Sequence, residues 1–165
     1  MNVVVKATVN PAVSSLHKRL VLSRADVAKA VEAGDAAFRA LMAANFATQG
    51  SAGGPKWADN TAFTKALKAS LGYPDRVLVR TGGMERGLTQ KGGDHVARVK
   101  SEGTMTSLEF GAQGRTADLV EANATFRTPR DAAQLTEEGK KQITDAIREE
   151  VRNVIRKALV LEVGK

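Results

Sequence analysis

The C-terminal stretch constrains the chain most. Ile143, Ile147, Val151, Val154, Ala158 and Leu161 fall on one face at helical spacing. Thr136 is placed to cap this helix, and Glu137 and Glu138 sit in the first turn, where the helix dipole favours anions. The other face carries Arg148, Glu149, Arg152 and Arg156, with Glu149 and Arg152 spaced for a solvated ion pair. A long helix with one apolar face needs a matching surface elsewhere in the chain.

That surface is expected from a second long helix over 24–47. Ser23-Arg24-Ala25-Asp26 forms a capping box with Asp in the Glu position, and Val27, Val31, Phe38, Leu41 and Met42 follow as an apolar face interrupted by Gly34. The Ala-rich surface between them allows close approach of a neighbour, within the subunit or between subunits. Gln49-Gly50-Ser51-Ala52-Gly53-Gly54-Pro55 cannot continue a helix and is read as a loop. Phe63, Leu67 and Leu71 then return at helical spacing over 60–71, closed by Gly72 and Tyr73-Pro74.

Strands account for most of the rest. The alternation in 2–9 predicts a half-buried strand, and Asn10-Pro11 can open a short helix over 12–22. Val77-Leu78-Val79 reads as a short strand. Val96–Lys100 and Met105–Phe110 read as a β-hairpin joined through Glu102-Gly103. Residues 111–134 mix Gly, Thr, Asn, Pro and charge without a period, which predicts a long loop or arm. The expected fold class is α+β: a single domain over 1–165, with a small, mostly antiparallel sheet packed against the long N-terminal helix and the C-terminal helix.

Composition narrows the function classes. A chain of 165 residues can bury a core without staples, and at 4% aromatic that core is expected to rest on Val, Leu, Ala and Ile. The absence of cysteine removes disulfides, thiolate metal sites and a cysteine nucleophile. The N-terminus lacks a basic segment followed by a long apolar one, and no run is long enough to cross a bilayer, so a soluble protein without membrane contact is expected. The net charge of +7 is unevenly spread: residues 51–100 hold nine basic and four acidic residues, whereas 101–165 hold ten and eleven. Such asymmetry suits a phosphate backbone or an acidic partner surface, and a plain solvated surface equally.

Catalytic patterns are sparse. His17 and His95 lie far apart, and neither has a second ligand at helical spacing, so both read as surface or structural histidines. Asp94 and Glu109 could be imagined as a two-carboxylate metal nuclease site, without the accompanying Glu-x-Lys spacing. Gly82-Gly83 and Gly92-Gly93 lack the P-loop context and are better read as turns bounding a mobile loop. No cofactor or metal is expected. Arg76, Arg80, Arg86, Lys91, Arg98 and Lys100 cluster around those glycines as candidate DNA- or partner-facing residues. Trp57, the only tryptophan, lacks the aromatic neighbours of a base-stacking platform and is read as an anchor for the Gly-rich loop.

The order Gly50, Pro55, Trp57, Thr61, then Val77-Leu78-Val79-Arg80-Thr81-Gly82-Gly83-Met84-Glu85-Arg86-Gly87-Leu88-Thr89 resembles the virion morphogenesis and tail-completion proteins of long-tailed phages. Leu78, Thr81, Gly82, Met84, Gly87 and Leu88 match or stand in for the family's Leu-x-x-Thr-Gly-x-Leu-x-x-Ser-Leu segment. Leu108-Glu109-Phe110-Gly111 and Arg127-Thr128-Pro129-Arg130 extend the likeness across about 50–135. This chain departs from the pattern at the additional Gly83 and at Asp131-Ala132-Ala133, where relatives commonly place an aromatic. The resemblance implies a structural virion protein without catalytic residues. It also implies a homo-oligomeric ring, a hexamer or related form, between head and tail. Other connector and tail proteins would be its partners, and its contact with channel DNA would be independent of sequence. The competing expectations are a cellular sequence-independent nucleic-acid-binding module and a small metal-dependent nuclease.

Overall fold

The computed structural model describes residues 3–8, 23–102, 105–124, 132, 133 and 135–163. In chain order these form β1 (Val3–Thr8), α1 (Arg24–Ala47), α2 (Ala62–Ser70), α3 (Gly83–Thr89), β2 (His95–Glu102), β3 (Met105–Ala112), α4 (Gly114–Ala124) and α5 (Glu137–Val163). The architecture is a single α+β domain in which one antiparallel sheet, ordered β1-β3-β2, packs against α1. Phe110 of the central strand stands opposite Val5 on one side and Ala97 on the other.

Two close approaches fix the helices. Gly34 of α1 lies against Phe110 of the sheet and Ile147 of α5, and Gly139 of α5 faces Leu41. Since 34 meets 147 while 41 meets 139, α1 and α5 run antiparallel. Both carry the caps their sequences forecast. The Asp26 backbone N–H donates to Ser23 Oγ at 3.2 Å, the Ser23 N–H donates to Asp26 Oδ2 at 3.2 Å, and the Gly139 N–H donates to Thr136 Oγ1 at 3.0 Å.

The core departs from the aliphatic expectation. Its largest fully buried side chains are Phe38, Phe46 and Phe110, joined by Trp57, Met42 and Met84. A chain with few aromatics places most of them where each covers a large apolar area.

Three segments differ from their sequence reading. Val77-Leu78-Val79 is a tight turn and not a strand: the Val79 N–H donates to the Arg76 carbonyl at 3.3 Å, with Leu78 at φ +59°. Lys68 Nζ donates to the carbonyls of Arg76 (2.5 Å) and Val79 (2.7 Å), doing for this turn what a neighbouring strand would do for a ladder. The loop expected between the two glycine pairs is largely α3, because Met84 and Leu88, one helical turn apart, are both buried and Gly87 lets α3 approach Thr116. Of the long arm expected over 111–134, residues 111–124 are corrected likewise: β3 runs on to Ala112, and α4 follows with Thr116, Ala117 and Val120 buried. The expected helix over 12–22, the hairpin residue Gly103 and the segment 127–130 lie outside the described residues.

Candidate functional site: an outward apolar helix and a basic cleft

The stretch from Gly50 to Gln90 is built as a support. Where α1 ends, Gln49 and Gly50 take positive φ values of 53° and 99°, and the chain turns back on itself. Asn45, buried at this corner, accepts from the Gly53 N–H at 2.9 Å and donates to the Ala132 carbonyl at 3.3 Å. The Trp57 N–H donates to the Gln49 carbonyl at 2.7 Å, and the buried indole meets the Phe46 ring nearly edge-on at 5.4 Å. Gln49 Oε1 accepts from the Val77 N–H at 2.6 Å, which ties the later turn to the same corner.

What this support carries is α2, and α2 is turned inside out. None of its residues is buried. Phe63 is 77% exposed, Leu67 48% and the capping Leu71 51%. Its polar side faces the body: Lys68 reaches the 76–79 turn, and Lys65 Nζ lies 3.3 Å from Asp59 and 3.8 Å from Asp75. The helical period is legible in the sequence, and the structure turns this apolar face to solvent.

The structure separates the six predicted basic residues. Arg76 makes a two-pronged contact with Glu85 (3.0 and 3.4 Å) and also reaches the Phe46 carbonyl. Arg80 lies over the Tyr73 ring, 5.1 Å from its centroid. Arg98 donates to Glu109 at 2.9 Å, and Lys100 lies 3.8 Å from the same carboxylate. Lys91 pairs with Glu32 at 2.6 Å. Arg86 donates to the Thr81 carbonyl at 3.0 Å.

Glu109 is 2% exposed, in register with Arg98 on β2 and Lys6 on β1. Removing the cation beside a buried carboxylate costs more than the pair contributes as a whole. Arg98→Ala is therefore expected to lose about 2 kcal/mol in urea unfolding, discounted for a guanidinium that is half exposed and for the remaining Lys100. Replacing both partners, in Arg98→Leu/Glu109→Leu, recovers most of that loss. Equal losses in the single and double variants would contradict this.

Only Arg86 and Lys91 of the six line the cleft between α3 and α4, a space of about 600 Å³ that Arg115, Met84 and Leu119 also border. Asp94 closes one side. Its Oδ2 accepts from the Thr116 side chain at 2.8 Å and the Thr116 N–H at 3.0 Å, holding the start of α4. Those bonds hold the Asp94 carboxyl below its usual 3.8. Asp26 is lowered by its bond from Ser23, and Glu32 by its bond and ion pair with Lys91. Each group has a depressed folded-state pKa. Its stabilisation is therefore complete above the ordinary carboxylate range and lost as pH falls through that range towards the folded value. Thermal midpoints are expected to stay level above about pH 5 and to fall below about pH 4. Thr116→Val should make that fall shallower.

Among the described residues, the sequence candidates Asp94, His95 and Glu109 each take part in a separate contact. Asp94 caps α4, and Glu109 serves Arg98 and Lys100 on another part of the hairpin. The His95 side chain is buried, with Nε2 2.5 Å from Asp35 Oδ1, while Arg39 donates to the other Asp35 oxygen at 3.0 Å. His17 lies outside the described residues. Among the described residues, no three His, Asp or Glu side chains are placed to share a metal ion, and no helix is long and apolar enough to cross a membrane.

Sequence reasoning missed Arg115 and Leu119 because they lie in the segment read as aperiodic. The available signal was Thr116, Ala117 and Val120, three buried positions at helical spacing behind Gly114. Comparison with known proteins returns nothing: no family model matches this chain, and neither does any curated protein or solved structure.

Proposed function

We propose that this chain is a non-enzymatic structural subunit that forms a homo-oligomeric ring in the head-to-tail connector of a long-tailed phage, at the neck or tail-completion position. The observation that carries the assembly reading is the construction of 50–90, a fixed support that displays α2 with its apolar face outward. A helix held to its body by polar tethers gains burial only when something covers it. The phage assignment comes from the resemblance across about 50–135. Within it, Gly50, Trp57, Met84, Gly87 and Leu88 serve packing and carry no catalytic group.

Rings arise when one face of a subunit meets a different face of its neighbour. Arg76, Lys91, Arg98 and Lys100 already face carboxylates within the subunit, which favours a protein partner over a nucleic-acid backbone, whose binding depends on cations available to displace counterions. Mass spectrometry of purified virions from the phage encoding the chain tests the reading. The protein is expected at a fixed copy number matching a ring, and its deletion should leave filled heads and separate tails. Its absence from particles, with normal joining in the deletion, would overturn the assignment.

A further inference from the structure

We propose that 60–75 is a detachable strap: α2 undocks and melts as one unit while the rest of the domain stays folded, and the Lys68 ammonium is the bolt that holds it shut. The inference stands independently of the ring reading, because it concerns how α2 is held and not what covers it.

The segment leaves the body and returns to it at one place. Buried Trp57 lies just before it and buried Val77 just after, and the Asn60 side-chain amide donates to Asp75 Oδ1 at 3.1 Å across the gap. A chain that departs and re-enters at adjacent points can move without pulling on what flanks it. Apolar burial does not anchor α2, which has no buried residue and leaves Phe63, Leu67 and Leu71 exposed. At nine residues it is also too short to keep its own hydrogen bonds in water, so leaving the body and losing the helix are one event.

The tethers are unequal. Lys65 meets Asp59 and Asp75, both exposed, and exposed ion pairs contribute little. Lys68 Nζ instead donates to two part-buried backbone carbonyls, those of Arg76 at 2.5 Å and Val79 at 2.7 Å, and bonds from a charged donor are the stronger kind. The receiving turn is built without help from α2. Val77 and Val79 are buried in the core, and Gln49 Oε1 accepts from the Val77 N–H. Between them Leu78 is kept at φ +59°, a conformation a leucine adopts only where its surroundings impose it. The two carbonyls therefore stay in place as a catch when Lys68 leaves, and the strap can close again on the same site.

Native-state amide hydrogen exchange of the full chain at increasing urea provides the test. The Lys65, Leu71 and Tyr73 amides, which donate within the strap, are expected to share one opening equilibrium. Their protection should be at least about 100-fold weaker than that of α1 and α5, with a shallow urea dependence that separates strap opening from global unfolding. Lys68→Met keeps the stem and the helix propensity, and it should speed exchange at these amides at least about tenfold. Lys65→Met should speed it no more than about threefold. Circular dichroism confirms that both variants keep the fold.

Strap amides with the same protection and urea slope as α1 and α5 would mean that α2 opens only with the whole domain, which overturns the proposal. Strap amides without protection in the wild-type chain would mean that nothing holds the strap shut, and overturn it as well. Equal acceleration in Lys65→Met and Lys68→Met would remove Lys68 as the bolt.

Discussion

Gly50→Val is expected to lower the thermal midpoint by roughly 10 °C, more than any surface substitution in the chain. Two penalties coincide at this position. The backbone has φ +99°, which a β-branched residue adopts only under strain of about 1–3 kcal/mol. A Cβ would also stand 2.7 Å from Trp57 Cδ1 and 2.9 Å from the Pro55 carbonyl oxygen. The carbonyl is backbone and the indole is locked against Phe46, so neither can yield cheaply, and overpacking adds about 1–3 kcal/mol. Gly72→Ala is the control: its φ is +69°, but nothing lies within 4 Å of the added carbon. It carries the strain without the collision, and its midpoint should fall only a few degrees. Equal effects at both positions would show that the Trp57 approach is unimportant.

The second large effect is expected at Gly34, where α1, α5 and the sheet meet. An added Cβ would lie 2.7 Å from the tip of the Phe110 ring and 2.8 Å from Ile147 Cγ1. Phe110 is stacked against Phe38 and has no room to retreat, whereas Ile147 is partly buried and can shift. Gly34→Ala therefore sets about 1 kcal/mol of improved helix propensity against about 1–3 kcal/mol of overpacking, with a small net loss. Gly34→Val keeps only part of the propensity gain and enlarges the clash, for an expected loss of about 3 kcal/mol in urea unfolding. Combining Gly34→Ala with Ile147→Ala should cost less than the sum of the single changes, because the second makes room for the first. A Gly34→Ala variant more stable than wild type would contradict the close approach.

The parts of this fold that the sequence disclosed are those determined within a few residues. α1 and α5 announce themselves by period and by caps at Ser23 and Thr136, all local signals. The hairpin is legible from alternation and from Gly103. α2 marks the boundary: its period can be read, but a period gives two faces without saying which one is inside. That choice depends on Lys68 reaching carbonyls at 76 and 79, and on Lys65 meeting Asp59 and Asp75. α3 was hidden by glycines bounding a single pair of buried apolar residues, and α4 by an inward face made largely of small side chains.

The basic region shows the same limit. Charge density along 76–100 was visible, but Glu32 and Glu109 lie far from, or across a strand from, the cations they meet. Those pairings dissolve a six-residue patch into separate structural contacts and leave Arg86, beside the unforeseen Arg115, at the cleft. Trp57 and the glycines around it turned out to matter for what they hold in place. The residues on which the proposed neck reading rests therefore shape a support, and the surface this support presents is α2.

Native mass spectrometry of the full chain, compared with its copy number in virions, tests the central claim most directly. The predicted result is a single closed assembly whose mass is a fixed multiple of the 17.5 kDa subunit and whose subunit count equals that in the particle. A chain that remains at the mass of one subunit at every concentration, and that is absent from purified virions, would contradict it.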